Sequence, residues 1–265
     1  SRGANTLTLS GGGSLVSGGL TLNDPSSKLL LNSITVDNVS TSANSLGLDV
    51  DNNSTITALS VANITPVSIA SGSSLLGGIT VSAGSLKLNE TGTLASTIAM
   101  SGGVLDADES STVSGALSHT ADITIDVADN KTLTYSGTAI SLGANTLTLS
   151  GGGTLVSGGL TLNDASSKLL LNSITVDNVS TSADSLGLDV NADSTVTSLS
   201  VANITPVAIA SGSSLSGGIT VTAGSIKLAE TGTLASTITM SGGVLDADES
   251  STVSGTLSHT ADITI

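Results

Sequence analysis

Few residues in this sequence are equipped for chemistry, and each also has a plain structural role. The histidines are His119 and His259, and there is no cysteine. Sliding the second half of the chain on itself by roughly 19 residues, a solenoid-like period, places His259 over Met240, and Met240 over Val221. That column is apolar, so the expected place for the ring is a coil corner, partly buried. The densest acidic group is Asp106, Asp108 and Glu109, repeated as Asp246, Asp248 and Glu249. Paired carboxylates can act as acid and base or hold a cation. The same slide, however, puts Lys227 beneath Asp246 and Lys87 beneath Asp106. Cross-coil ion pairs are therefore predicted, each worth about 0.2–1 kcal/mol when exposed. Glu230 falls beneath Glu249, so these like charges repel unless they splay or share a cation. Asp49, Asp51, Asn52 and Asn53 resemble a ligand set. Their counterparts are Asp189, Asn191, Ala192 and Asp193, so the candidate ligands move, as expected of a solvated turn. No EF-hand pattern or calcium nonapeptide is present. Ca²⁺ is kept only as a weak alternative to having no cofactor.

Gly11–Gly13 and Gly151–Gly153 lack the Lys-Ser/Thr of a phosphate loop and precede no helix pattern, so they read as tight corners. Tyr135 reads as a corner or surface residue. Thr-x-Thr pairs occur at 6–8, 55–57, 132–134 and 146–148. Outward threonine ladders can present a regular face, but these four do not share a 19-residue column. No nucleophile with a base is apparent, nor an aromatic platform with a basic groove. The chain is expected not to be an enzyme, with no catalytic, cofactor or metal residue assigned.

These residues sit on a repeat. Residues 3–125 and 143–265 align without a gap at an offset of 140, with 15 differences and 108 of 123 positions identical. A shorter period runs inside it. In the second copy, Val207, Ile226, Leu245 and Ile263 form one column, and Ile209, Leu228, Ala247 and Ile265 the next. Leu215, Leu234 and Val253 form a third, and Ile219, Ile238 and Leu257 a fourth. Apolar-x-apolar alternation between Ser/Gly/Asn/Asp/Thr turns signals short strands. Coil starts are read at 123, 147, 160, 186, 207, 226 and 245. That gives seven coils per 140-residue repeat, about 20 residues per coil, with three short strands in each.

A period near 20 predicts an all-β chain folded as a parallel β-helix, or β-solenoid, taken as right-handed by the usual crossover rule. Residues 1–265 are expected to form a single continuous solenoid, with repeat copy one at 3–142 and an incomplete copy two at 143–265. The sequence stops within ADITI, where copy one continues into DVADNKTLTY, as a window cut from a longer array would.

Composition agrees. Mean hydropathy is +0.39, charged residues are 10%, and Tyr135 is the only aromatic besides the histidines. A thin ladder core of Leu, Ile and Val needs no large ring. The net charge of −15 argues against nucleic acid as a partner. No apolar run approaches the ~18 residues of a membrane-crossing helix, so no membrane insertion of this segment is expected.

GANTLTLSGGGTLVSGGLTLND (143–164) and AETGTLASTITMSGGVLDADESSTVSGTLSH (229–259) resemble autotransporter passenger repeats and giant repetitive bacterial surface adhesins. The shared features are the Leu-Thr-Leu strand openings, the small polar turns and the lack of cysteine. The resemblance implies an extracellular, cell-surface β-solenoid serving as a stalk, fibre or filament. Its expected partners are neighbouring repeats, other copies of the same protein, or extracellular glycans. A glycan- or ice-binding module is the alternative, and a polysaccharide-cleaving β-helix enzyme a more distant one. Aromatics lining a groove, or threonines in one column, would favour the binding module. The sequence columns show neither.

Overall fold

The structure, a computed structural model, describes residues 4–265. Gly3, the first residue of repeat copy one, and Ser1, where the expected solenoid begins, lie outside the described residues. The chain divides into two compact units, Ser1–Thr138 (unit 1) and Ala139–Ile265 (unit 2). Among the described residues every regular element is a strand, and every strand pairing within a unit is parallel. Each unit is thus a parallel β-solenoid.

Both units use the same two-sheet plan. In unit 1 the first sheet holds Thr6–Ser10, Lys28–Asn32, Gly47–Val50, Ile64–Ile69, Ser85–Leu88, Val104–Ala107 and Ile123–Val127. In unit 2 it holds Thr146–Ser150, Lys168–Asn172, Gly187–Ala192, Ile204–Ile209, Ser225–Leu228 and Val244–Ala247. The second sheet completes each coil. Some coils contribute two short strands to it, such as Thr93–Leu94 and Thr97–Met100. Others contribute one longer strand, such as Ser74–Val81. Three short strands per coil therefore describes only part of the fold.

Side chains alternate in and out, and the inward set stacks. Leu75, Leu94, Val113 and Tyr135 form one buried column of unit 1, paired coil to coil. The predicted columns Leu215–Leu234–Val253 and Ile219–Ile238–Leu257 occur as read. Corners take small residues. Ser96 and Ser236 turn inward and donate to the carbonyls of Leu75 (3.1 Å) and Leu215 (3.2 Å) in the coil below. This satisfies polar groups that burial would otherwise strand.

Two column assignments need correction. Val207 pairs with Leu228 rather than Ile226, and Ile226 pairs with Thr205, so this step is two positions longer than the column implied. Ile204–Ile209 is long enough for its later half to match Leu188–Val190 while its earlier half matches Ser225–Leu228. The two-residue shift preserves side-chain parity, so the core is kept. Likewise Val244 meets Thr264, which brings Ile265 rather than Ile263 beside Leu245. The coil start read at 160 is also displaced. Leu160 and Leu162 belong to the second sheet, and the first-sheet strand of that coil is Lys168–Asn172. Leu186, read as a strand opening, is exposed, and the inward residues are Leu188 and Val190.

Along the first sheet of unit 1, Thr6 meets Lys28, Lys28 meets Gly47, and Leu48 meets Val67. Ile64 then meets Ser85, Ser85 meets Val104, and Val104 meets Thr124. The sequence steps are thus 22, 19, 19, 21, 19 and 20. Unit 2 repeats the same series. The mean step is about 20 in both, within the range of solenoid repeats.

Candidate functional site

Four of the five lysines lie on first-sheet strands and meet aspartates there or just beyond the strand end; Lys131, beside the second-sheet strand Thr132–Tyr135, meets Glu109. Lys87 Nζ lies 2.8 Å from Asp106 Oδ2 and 3.0 Å from Asp108 Oδ2. In unit 2, Lys227 lies 3.7 Å from Asp246 and 3.1 Å from Asp248. The predicted pairs form, and each lysine also takes the second aspartate. Lys28–Asp49 and Lys168–Asp189 pair at 2.5 Å, and Lys131–Glu109 at 2.6 Å. All five lysines are thus neutralised. Hydrogen bonding to Asp106, and then to Asp108, holds the Lys87 ammonium above its usual range. Burial pushes Asp106 up, against the pull of Lys87. Among the described residues no three His, Cys, Asp or Glu gather as a metal site.

The polar turns are structural ties. Asn53 Oδ1 accepts from the amide (2.9 Å) and hydroxyl (3.1 Å) of Ser74. Asp193, its counterpart, accepts the same pair from Ser214. The swap of Asn for Asp keeps the bond, which explains why this turn tolerates it. Gly11 and Gly12 have φ of 118° and 69°, as tight corners need.

The histidines do not converge with other titrating groups. His119 pairs with Met100, and His259 with Met240, as the register predicts. Each ring nitrogen Nδ1 lies 3.2 Å from a carbonyl two residues on, Ala121 or Ala261. His119 is half-buried, and His259 is exposed rather than partly buried. Tyr135 is buried rather than at the surface. Its hydroxyl accepts from the Leu117 amide at 3.0 Å, and the missing Cβ of Gly137 makes room for the ring.

The second sheet carries what the columns of the sequence did not reveal. The Thr-x-Thr pairs, expected not to share a column, are split between the two sheets. Thr6 and Thr8 lie on the first, and Thr132 and Thr134 on the second. Yet Ser and Thr taken together form a continuous outward column in unit 2. It runs Thr161, Ser180, Ser200, Thr220, Thr239 and Ser258, each paired with the next. A second outward column runs Thr154, Thr175, Thr195 and Ser216. Neighbouring hydroxyls approach hydrogen-bond distance: Thr161 and Ser180 at 3.3 Å, Thr195 and Ser216 at 2.7 Å. Scanning for Ser or Thr at spacings of 19 or 20 would have found the first column.

Unit 1 carries an interrupted version: Thr21, Ser40, Ser60, Thr80, Ala99 and Ser118. Three of the 15 differences between the copies exchange an outward apolar residue of this sheet for a hydroxyl: Ala58/Ser198, Leu76/Ser216 and Ala99/Thr239. A shallow depression of about 90 Å³ lies at Ala99, between Thr80 and Ser118.

Compared with known protein families, curated proteins and solved structures, the chain finds no match.

Proposed function

We propose that this chain is a structural segment of a long extracellular repetitive β-solenoid, a stalk, fibre or filament of the surface-adhesin kind. The observation that supports this is the coil series, 22, 19, 19, 21, 19 and 20, which both units keep through 15 substitutions. A constant coil spacing, kept while outward positions such as Ala58/Ser198 and Leu76/Ser216 differ, suits an element whose product is length. Stacked coils advance about 4.8 Å each, so seven coils correspond to roughly 34 Å. Chains of one, two and four 140-residue repeats test this by small-angle scattering. The longest dimension should grow by a constant step near that value per repeat, and a maximum dimension that does not grow would refute it. Accessibility of the segment to added protease on intact producing cells tests the surface location. Protection until the cells are lysed would refute it.

A further inference from the structure

We propose that Asn38 and Asn178 are acceptor sites for N-linked sugars. This does not rest on the stalk reading; it needs only that the chain meets a transferase. Asn-x-Ser/Thr, the acceptor pattern for such sugars, occurs at Asn38, Asn52, Asn53, Asn63, Asn89 and Asn130, and again at Asn178 and Asn203. In a chain this rich in Ser and Thr the pattern also arises by chance, and the side-chain environments separate the eight. Asn63 and Asn203 are half-buried and spend their amide nitrogens on the carbonyls of Thr41 (3.1 Å) and Thr181 (3.2 Å). Asn52 and Asn130 donate to Asn32 and Asp129. Asn53 holds Ser74, a tie that Asp193 makes to Ser214 equally well. Asn89 buries its Oδ1. Among the described residues, only Asn38 and Asn178 carry the pattern on an exposed side-chain amide that no hydrogen bond engages.

The surroundings suit a bulky, polar addition. On a strand, residues two apart share a face. Asn38 and Ser40 therefore point outward together around the buried Val39, as Asn178 and Ser180 do around Val179. Small residues floor the space beside the amide. Ala58 pairs with Asn38 and Gly78 with Ala58, and Ser198 and Gly218 take the same places in unit 2. Asp37 is turned onto Ser17 and Gly18, and Asp177 onto Ser157 and Gly158, at 2.9–3.2 Å. Between the copies the acceptors Asn52, Asn53 and Asn89 give way to Ala192, Asp193 and Ala229, while Asn38 and Ser40 are kept. Asn63 is kept as well, for which its bond to Thr41 is reason enough. In the transfer, the amide Nδ2 forms a bond to the anomeric carbon of a nucleotide- or lipid-phosphate-linked sugar. The carbon–oxygen bond to phosphate breaks, the phosphate leaves with that electron pair, and Nδ2 gives up one proton to the transferase. The product is a neutral secondary amide standing clear of the core and of the Lys–Asp pairs.

The test is a peptide map by mass spectrometry of the whole chain isolated from the cells that make it, with fragmentation that leaves sugars in place. Peptides carrying Asn38 and Asn178 should be heavier by whole sugar residues located on the asparagine, and those carrying Asn63 and Asn203 should not. Ser40→Ala should abolish the modification of Asn38, although the asparagine itself remains, and should leave that of Asn178 as an internal control. Ser40→Thr should retain both. Four results would overturn the assignment. One is that Asn38 and Asn178 are unmodified, and another that Asn63 or Asn203 is modified to the same extent. A third is that Asn38 still carries sugar in Ser40→Ala. The fourth is sugar on serine or threonine in place of asparagine, which would make the link O-glycosidic.

Discussion

The two sheets of each unit share one core and opposite surfaces. On the first sheet the strands carry Lys28, Asp49, Lys87, Asp106 and Asp126 in unit 1, and Lys168, Asp189, Lys227 and Asp246 in unit 2. On the second, among the described residues, the carboxylates within strands are Asp37 and Asp177 alone, and hydroxyls take the outward places. Nothing in a parallel ladder requires this division, because backbone bonds and inward Leu, Ile and Val hold both sheets alike. Once the inward residues have set the fold, each surface can be written independently. One surface pairs carboxylates with lysines, and, among the described residues, the strands of the other carry one carboxylate in each unit and no lysine.

Changes to the shared core should blur this contrast most. Leu94→Ala removes a fully buried side chain between Leu75 and Val113 and should cost about 2–5 kcal/mol, read by urea unfolding. Next is a change confined to the hydroxyl sheet. Gly217 sits at φ 118° opposite a bulge between Val196 and Ser198, where an added Cβ would lie 1.8 Å from the Val196 carbonyl oxygen. Gly217→Ala should cost about 1–3 kcal/mol. A melt matching wild type would mean that the bulge relaxes freely. Tyr135→Phe should cost about 1–3 kcal/mol, because it leaves the Leu117 amide without its 3.0 Å acceptor.

These cases mark what was legible in the sequence. Period-two alternation and the 19-residue columns reveal the parallel solenoid, the Leu215 and Ile219 columns and the Lys–Asp pairs. They do so because an inward position in one coil must suit the inward position in the next. The longer step at Val207–Leu228 was not legible. A shift of two keeps parity, so hydrophobicity alone cannot distinguish the registers. Tyr135 was misplaced because its burial depends on Gly137 and on the Leu117 amide, and neither contributes to a hydrophobic pattern. The hydroxyl column was missed because outward positions accept Ser and Thr interchangeably, and a search for Thr alone breaks it.

The smallest effects divide the sheets most sharply. Lys87→Met removes an ammonium shared by Asp106 and Asp108 and should cost about 0.2–1 kcal/mol, less at high salt. Thr220→Val, outward on the other sheet, should stay within about 0.5 kcal/mol and show no salt dependence. The pH dependence should then differ in sign. Asp37, on the hydroxyl sheet, is held below its ordinary 3.8 by the Asn38 amide first, then by the Ser17 hydroxyl and the Gly18 and Ser17 amides, against a smaller cost of burial. Its stabilisation is complete above 3.8 and is lost as pH falls through the lower folded value. Asp106, on the charged sheet, is raised above 3.8 chiefly by burial. Its ionised form is therefore a cost above the folded pKa, and that cost is relieved as pH falls through it. Melting curves from pH 7 to 2 for wild type, Asp37→Asn and Asp106→Asn separate the two. The wild-type advantage over Asp37→Asn should shrink on acidification below 3.8. The difference from Asp106→Asn should move in favour of wild type on acidification, starting from a pH above 3.8. If both differences slope the same way, the carboxylates of the two sheets are not held by different forces, and the contrast between the surfaces reduces to composition.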